Sequence, residues 1–365
     1  MLLLLNSLAH LLVDGLCAAV LFGPVRAAGG GTELILLYNT LAFSTQCVVG
    51  LAADRLKKQG LAAALSMLLV VLGFVLPLGP ALRVCLVGLG NSGFHVAGGV
   101  MTLRRGGGKA GKLGVFVAPG AIGLTLGTLW PRLGTVFAVL LALCALAVIP
   151  LEKRSPADPL PELKPGRQVS LAVPLLLALA VAVRAVGGCA VSFPWKEGAA
   201  LTLALTFCVF AGKTAGGFLC DRFGPNRTSL VSMVAAAVLV AFCARWAVPS
   251  LAGQFLLNLT MPVTLWLMYR ALPDQPGFAF GLAASALWPG TFLGLLLNRS
   301  DLPPQPFVLL SFLFGLAAIL WAAVAIRRAR SRGAGAPPPG LRQKRELPQA
   351  DSDSVCPPTG EKSIR

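Results

Sequence analysis

Asn6, His10 and Asp14 recur every fourth position in the apolar run MLLLLNSLAHLLVDG. At that spacing they share one face of a helix. Asp14 is the one carboxylate deep inside an apolar segment among 14 acidic residues. Both histidines, His10 and His95, are embedded in the same way, His95 one turn after Asn91. A carboxyl group among imidazoles is proton-handling chemistry, because each group changes charge with one proton and imidazole does so near neutral pH. Arg184 is the matching embedded cation, with Lys213 nearer the end of its segment and Asn258 and Thr260 in a later one. A charge in hydrocarbon is costly enough that such residues face a cavity or a partner. Asn6, His10, Asp14, Asn91, His95, Arg184 and Asn258 are therefore the candidate substrate and proton site. Two readings stay open. Asp14 titrates together with a histidine, or Asp14 and Arg184 form a structural pair beside hydrogen-bonded histidines.

The elements that hold these residues follow from composition. The chain is 56% hydrophobic and 12% charged, with a mean hydropathy of +0.78. Soluble domains carry about a quarter charged residues. Apolar runs recur from residue 1 to about 327. In lipid the backbone must satisfy its own hydrogen bonds, which leaves helices or a closed barrel. The runs have helix-spanning length and lack strand alternation, so the expectation is an all-α integral membrane bundle. The first run lacks a basic leader and is broken by Asn6, His10 and Asp14, so it reads as a retained span rather than a signal peptide.

Twelve spans are expected near 2–22, 33–53, 61–79, 82–103, 113–130, 134–151, 169–191, 198–220, 228–246, 250–270, 277–297 and 306–327. The charged, Pro-rich stretch EKRSPADPLPELKPGRQ (152–168) separates two halves, 1–151 and 169–327, and a basic Gly- and Pro-rich tail over 328–365 is expected to be disordered. Lys and Arg are biased roughly four to one toward the even-numbered connections and the tail, which places both termini in the cytoplasm. The same bias explains the net charge of +17 without nucleic acid. The nine cysteines and the remaining residues show no metal-type spacing, so no metal or cofactor is expected.

One pattern occurs twice. Phe43-x2-Gln46-x3-Gly50-x3-Asp54-Arg55 returns as Phe210-x2-Lys213-x3-Gly217-x3-Asp221-Arg222, with a constant offset of 167 residues. Each copy ends the second helix of its half and opens a tight basic loop, DRLKKQG and DRFGPNR. Glycine permits close helix approach there, and Asp can cap or pair across the cytoplasmic face. These loops resemble the motif between the second and third helices of major facilitator proteins and its second-half echo. The resemblance spans residues 1–327. It implies two pseudo-symmetric six-helix bundles of the major facilitator fold. It also implies that Asp54, Arg55, Asp221 and Arg222 belong to a charge network that latches the outward-facing state, with Gly50 and Gly217 completing the gating motif.

SLAHLLVDG and GLGNSGFHVAG are similar to segments of fosmidomycin-resistance-like exporters, matching at Ser7, Leu8, His10, Asp14, Phe94 and His95 and departing at Val96, where those proteins have Pro. Gly114-x8-Gly123-x3-Gly127 has the glycine spacing of the antiporter motif of drug exporters, with Thr128 where that motif has Pro. Trp288-Pro289-Gly290 reads as a kink. No nucleotide-binding loop is present, so an ion gradient would supply the energy. The expected function is proton-coupled export of a small molecule by a monomer in the plasma (bacterial inner) membrane, its partners being substrate, protons and lipids. Uptake of an organic anion or nutrient is the alternative. An intramembrane enzyme is the rival of another class, but no Ser/His/Asp or metal constellation supports it.

Overall fold

The computed structural model describes residues 1–158 and 169–331, so linker residues 159–168 and the tail beyond Ser331 lie outside the described residues. Every regular element among the described residues is helical. Ten helices have the length and hydropathy of membrane spans. They are Leu2–Val25 (span 1), Thr32–Leu56 (span 2), Pro80–Leu103 (span 4), Gly111–Leu129 (span 5), Pro131–Lys153 (span 6), Ala172–Cys189 (span 7), Gly198–Phe242, Ala247–Ala271 (span 10), Pro276–Asn298 (span 11) and Pro304–Ala329 (span 12). The shorter apolar helix Gln59–Val75 is span 3. The 45-residue helix Gly198–Phe242 is two spans, because Gly224 takes φ 81° and Pro225 follows. Only glycine adopts that geometry readily, and proline cannot continue the hydrogen-bond ladder. Spans 8 and 9 are thus 198–223 and 225–242. Twelve spans result, six on either side of the linker, as expected from the sequence.

Two boundaries move. Span 6 extends through Lys153, so Glu152 and Lys153 are helical rather than linker. The last helix continues to Ser331, past the expected start of the tail at 328. The first linker residues are held in place: Arg105 donates to the Ser155 carbonyl at 2.6 Å and lies 3.6 Å from Glu152, while Asp158 accepts from the Gly107 N–H. Span 11 runs through Pro289 as one helix, with Gly290 packed on the Ala182 carbonyl of span 7.

The polarity of span 2 is absorbed locally. Asn39, Thr40, Thr45 and Gln46 each donate to the carbonyl four residues earlier at 2.6–2.9 Å. These bonds flank a π-helical turn at Thr40–Ser44, a widened turn of the kind found at functional sites. The two halves meet along two helix pairs. Spans 2 and 11 touch where Gly50 faces the Gly277 carbonyl and Gly281 the Gln46 carbonyl. Spans 5 and 8 touch where Gly114 faces the Lys213 and Thr214 carbonyls and Gly217 the Ala110 carbonyl. Side-chain-free surfaces allow this approach because lipid provides no hydrophobic drive, so close van der Waals packing must hold helices together.

Candidate functional site

Asp14 is the centre of a node built from spans 1, 4 and 5. Helical periodicity puts His10 one turn from Asp14, with Nε2 3.3 Å from Oδ2. Span 4 brings His95, whose Nε2 lies 3.6 Å from Oδ1, and Asn91, whose Nδ2 donates to Oδ1 at 2.9 Å. The His10 and His95 rings meet edge to face with centroids 4.4 Å apart. Gly120 of span 5 forms the wall, since a Cβ there would overlap both His10 and the Asp14 carboxylate.

The backbone sets both imidazole tautomers. His10 Nδ1 lies 2.8 Å from the Phe116 carbonyl, and His95 Nδ1 lies 2.9 Å from the Asn91 carbonyl. A carbonyl only accepts, so Nδ1 carries the proton in each ring. When the rings are neutral, two Nε2 lone pairs face one carboxylate. Three facing acceptors repel unless a cation, a proton or a larger ion, lies between them.

Arg184 is not part of this node. It donates to Thr260 at 2.8 Å and Thr264 at 3.2 Å inside the second half, and forms no ion pair among the described residues. Of the two readings left open by the sequence, the Asp14–Arg184 pair is not formed, and Arg184 does not join Asp14 at one site: the offset that aligns spans 1 and 7 does not bring these side chains together. Asn6 shares the buried face of span 1 but opens into a separate cavity lined by Met1, Met101, Arg105, Lys112 and Asp158. Asn258 donates to the Gln254 carbonyl of its own helix and packs on Gly212. Of the seven residues expected to share one site, the fold unites His10, Asp14, Asn91 and His95.

Three contributors escaped the sequence reading. Gly120 lies outside the glycine spacing singled out in span 5. Phe116 packs on His10 with centroids 4.9 Å apart, and Phe280 of span 11 packs on Phe116 at 6.2 Å. Phe280 also fills the space above Gly99. The second half thus closes over the node with an aromatic ring. Among the antiporter-type glycines, Gly123 and Gly127 seat span 5 on the Leu11 and Gly15 carbonyls of span 1, whereas Gly114 serves the interface between halves.

The duplicated motif forms two matching contacts between the halves. Asp54 accepts the backbone N–H groups of Gly277 at 2.7 Å and Phe278 at 2.8 Å, at the start of span 11. Asp221 accepts those of Ala110 and Gly111, both at 2.8 Å, at the start of span 5. Each carboxylate satisfies orphan donors at a helix N-terminus, where the helix dipole also favours negative charge. The arginines do not join a charge network as expected. Arg55 is exposed without an ion pair among the described residues, and Arg222 lies over the Phe223 ring, 5.4 Å from its centroid. Backbone amides already satisfy the aspartates.

No protein-family model and no curated protein matches the chain by sequence. Solved structures do match by shape. A crystal structure of a variant of the E. coli fucose:proton symporter FucP is 14% identical with a TM-score of 0.58, covering 90% of this chain and 97% of that one. A crystal structure of FucP, titled a major facilitator superfamily transporter in the outward conformation, is 14% identical with a TM-score of 0.61, covering 89% and 97%. Likeness at this identity speaks to fold, and the fold of this chain is that of the major facilitator transporters.

Proposed function

We propose that this chain is a secondary active transporter that moves a small molecule by alternating access, coupled to protons and running toward export. The pair of crossed latches carries this reading. Asp54 of the first half holds a helix start in the second, and Asp221 of the second holds a helix start in the first. Contacts of this kind are strong enough to favour one arrangement of the halves and few enough to break in a cycle. The rocking units are the two six-span halves, spans 1–6 and spans 7–12.

Proton coupling is supported by the half-buried carboxylate facing two imidazoles, and export by the exporter-like segments of spans 1 and 4. The residues assigned are His10, Asp14, Asn91 and His95 for the coupling site, with Gly50, Asp54, Gly217 and Asp221 for gating. The protein works as a monomer in the plasma (bacterial inner) membrane with both termini in the cytoplasm. The matched fucose:proton symporter favours a second reading, proton-coupled uptake.

The test is reconstitution of purified protein in vesicles containing a pH-sensitive dye. Candidate cargoes come from a screen for compounds that raise the melting temperature. A stabilising compound should drive proton movement in the wild type and none in Asp14→Asn. Opposed movement of cargo and proton supports export, and movement together supports uptake. Wild-type proton movement in Asp14→Asn would refute coupling at this site.

A further inference from the structure

The geometry points to a divalent transition-metal ion as the cargo bound by His10 Nε2, the Asp14 carboxylate and His95 Nε2. The choice of metal as cargo rests on the transport reading above. The site itself rests on the ligand arrangement.

One potential ligand atom from each of the three residues lies within 4.8 Å of the others, although they come from two spans. The separations from carboxylate to imidazole are 3.3 Å and 3.6 Å. A charge-assisted N–H···O bond draws its atoms to about 2.7–2.9 Å. Two ligands of a tetrahedral ion with bonds of about 2.05 Å lie about 3.3 Å apart. The observed spacing is thus wide for a shared proton and close to the edge of a coordination shell.

The surroundings have the form of an outer ligand sphere. A metal-binding imidazole donates its other N–H to a carbonyl or carboxylate, which points the remaining lone pair at the ion. Both rings do this, through the Phe116 and Asn91 carbonyls. The ligating carboxylate is itself held, by Asn91 Nδ2 at 2.9 Å. A side chain at position 120 would overlap the Asp14 carboxylate and His10 Nε2, so only glycine fits beside these ligand atoms.

The donor set selects the class of ion. Two imidazoles and one carboxylate suit Zn²⁺, Fe²⁺, Co²⁺, Ni²⁺ or Cu²⁺, while Mg²⁺ and Ca²⁺ want oxygen throughout. Three protein ligands leave a position open, as in exchangeable rather than structural sites.

The test uses tag-free, full-length protein in detergent and Co²⁺, whose visible spectrum reports coordination geometry. We expect one Co²⁺ per chain with the intense bands of a low-symmetry site, displacement by Zn²⁺ and none by Mg²⁺. His10→Asn, His95→Asn and Asp14→Asn should each weaken binding at least about tenfold, since even outer-sphere changes cost that much. His95→Cys should retain binding and add a thiolate-to-cobalt charge-transfer band, which a merely structural histidine would not produce. Folding is checked by size exclusion and circular dichroism.

Stoichiometric binding that no ligand variant weakens overturns the site, as does no binding by folded wild-type protein. Transport of another solute by a chain that binds no Co²⁺ overturns the metal assignment and leaves the transport reading standing. Ligand-dependent Co²⁺ binding without Co²⁺ movement in vesicles supports the site and overturns its use for cargo.

Discussion

Asp54 and Asp221 perform one task from opposite halves, each carboxylate receiving two backbone N–H groups at the start of a helix in the other half at 2.7–2.8 Å. The equivalence gives a quantitative expectation. A hydrogen bond to a charged group is worth roughly 1.5–3 kcal/mol, and about 1.4 kcal/mol is a factor of ten in an equilibrium. Asp54→Asn or Asp221→Asn should therefore shift the halves away from the latched arrangement by about tenfold. Distance measurements between spin labels on spans 2 and 11 would show the shift. Equal latched populations in wild type and both variants would refute the latch.

The glycines of spans 2, 5 and 11 should divide into two classes. A Cβ at Gly50 or Gly281 overlaps backbone of the opposite half, while one at Gly123 or Gly127 overlaps span 1 within the same half. Gly50→Ala and Gly281→Ala should penalise the latched arrangement and leave each half folded. Gly123→Ala and Gly127→Ala should lower the stability of the first half in every state by about 1–3 kcal/mol, the usual cost of overpacking. Thermal unfolding in detergent, read beside spin-label distances, separates the classes.

Asp14 and Arg184 should behave as independent residues. Arg184 is anchored by Thr260 and Thr264 in the second half, and Asp14 by His10, His95 and Asn91 in the first. In a double-mutant cycle of Asp14→Asn and Arg184→Gln, stability changes should add within about 0.5 kcal/mol. Exchanging the two charges should not rescue either single variant. Rescue would show that the pair forms.

The two histidines allow one ring nitrogen to be removed at a time. Asparagine can keep a donor near the Nδ1 position for the Phe116 or Asn91 carbonyl, but places nothing at Nε2. His10→Asn and His95→Asn should keep near-native melting temperatures and lose cargo-driven proton movement. His10→Leu also removes the side-chain donor of the buried Phe116 carbonyl, costing about 1–3 kcal/mol of stability, whereas His95→Leu leaves the Asn91 carbonyl its helical backbone partner and should cost less. Proton flux and melting curves on the four proteins test both statements.

Arg83 offers a check outside the site. Its guanidinium donates to the Gly73, Phe74 and Leu78 carbonyls at 2.8–3.2 Å, which closes the end of span 3 onto the start of span 4. Helix C-termini leave such acceptors without partners, and a cation there also suits the dipole. Arg83→Ala should reduce stability by about 1–3 kcal/mol with transport direction unchanged. Thermal unfolding would measure it.

The helical membrane architecture and its duplication were legible in the chain because they depend on local rules. Hydropathy and span length follow from the solvent, and the offset of 167 residues aligns Asp54 with Asp221 whatever their partners are. Periodicity likewise put His10 and Asp14 on one face of span 1. It could not say which neighbour that face meets, because a helix has many ways to turn and cross against others of similar apolarity. Tertiary packing therefore decided that Asp14 meets His95 and Asn91 rather than Arg184, that Asn6 opens elsewhere, and that Phe280 closes the node from the opposite half. It also decided that the latch aspartates bind backbone amides instead of arginines. Every residue presents those amides regardless of side chain, so no residue pattern marks them before the helices are brought together.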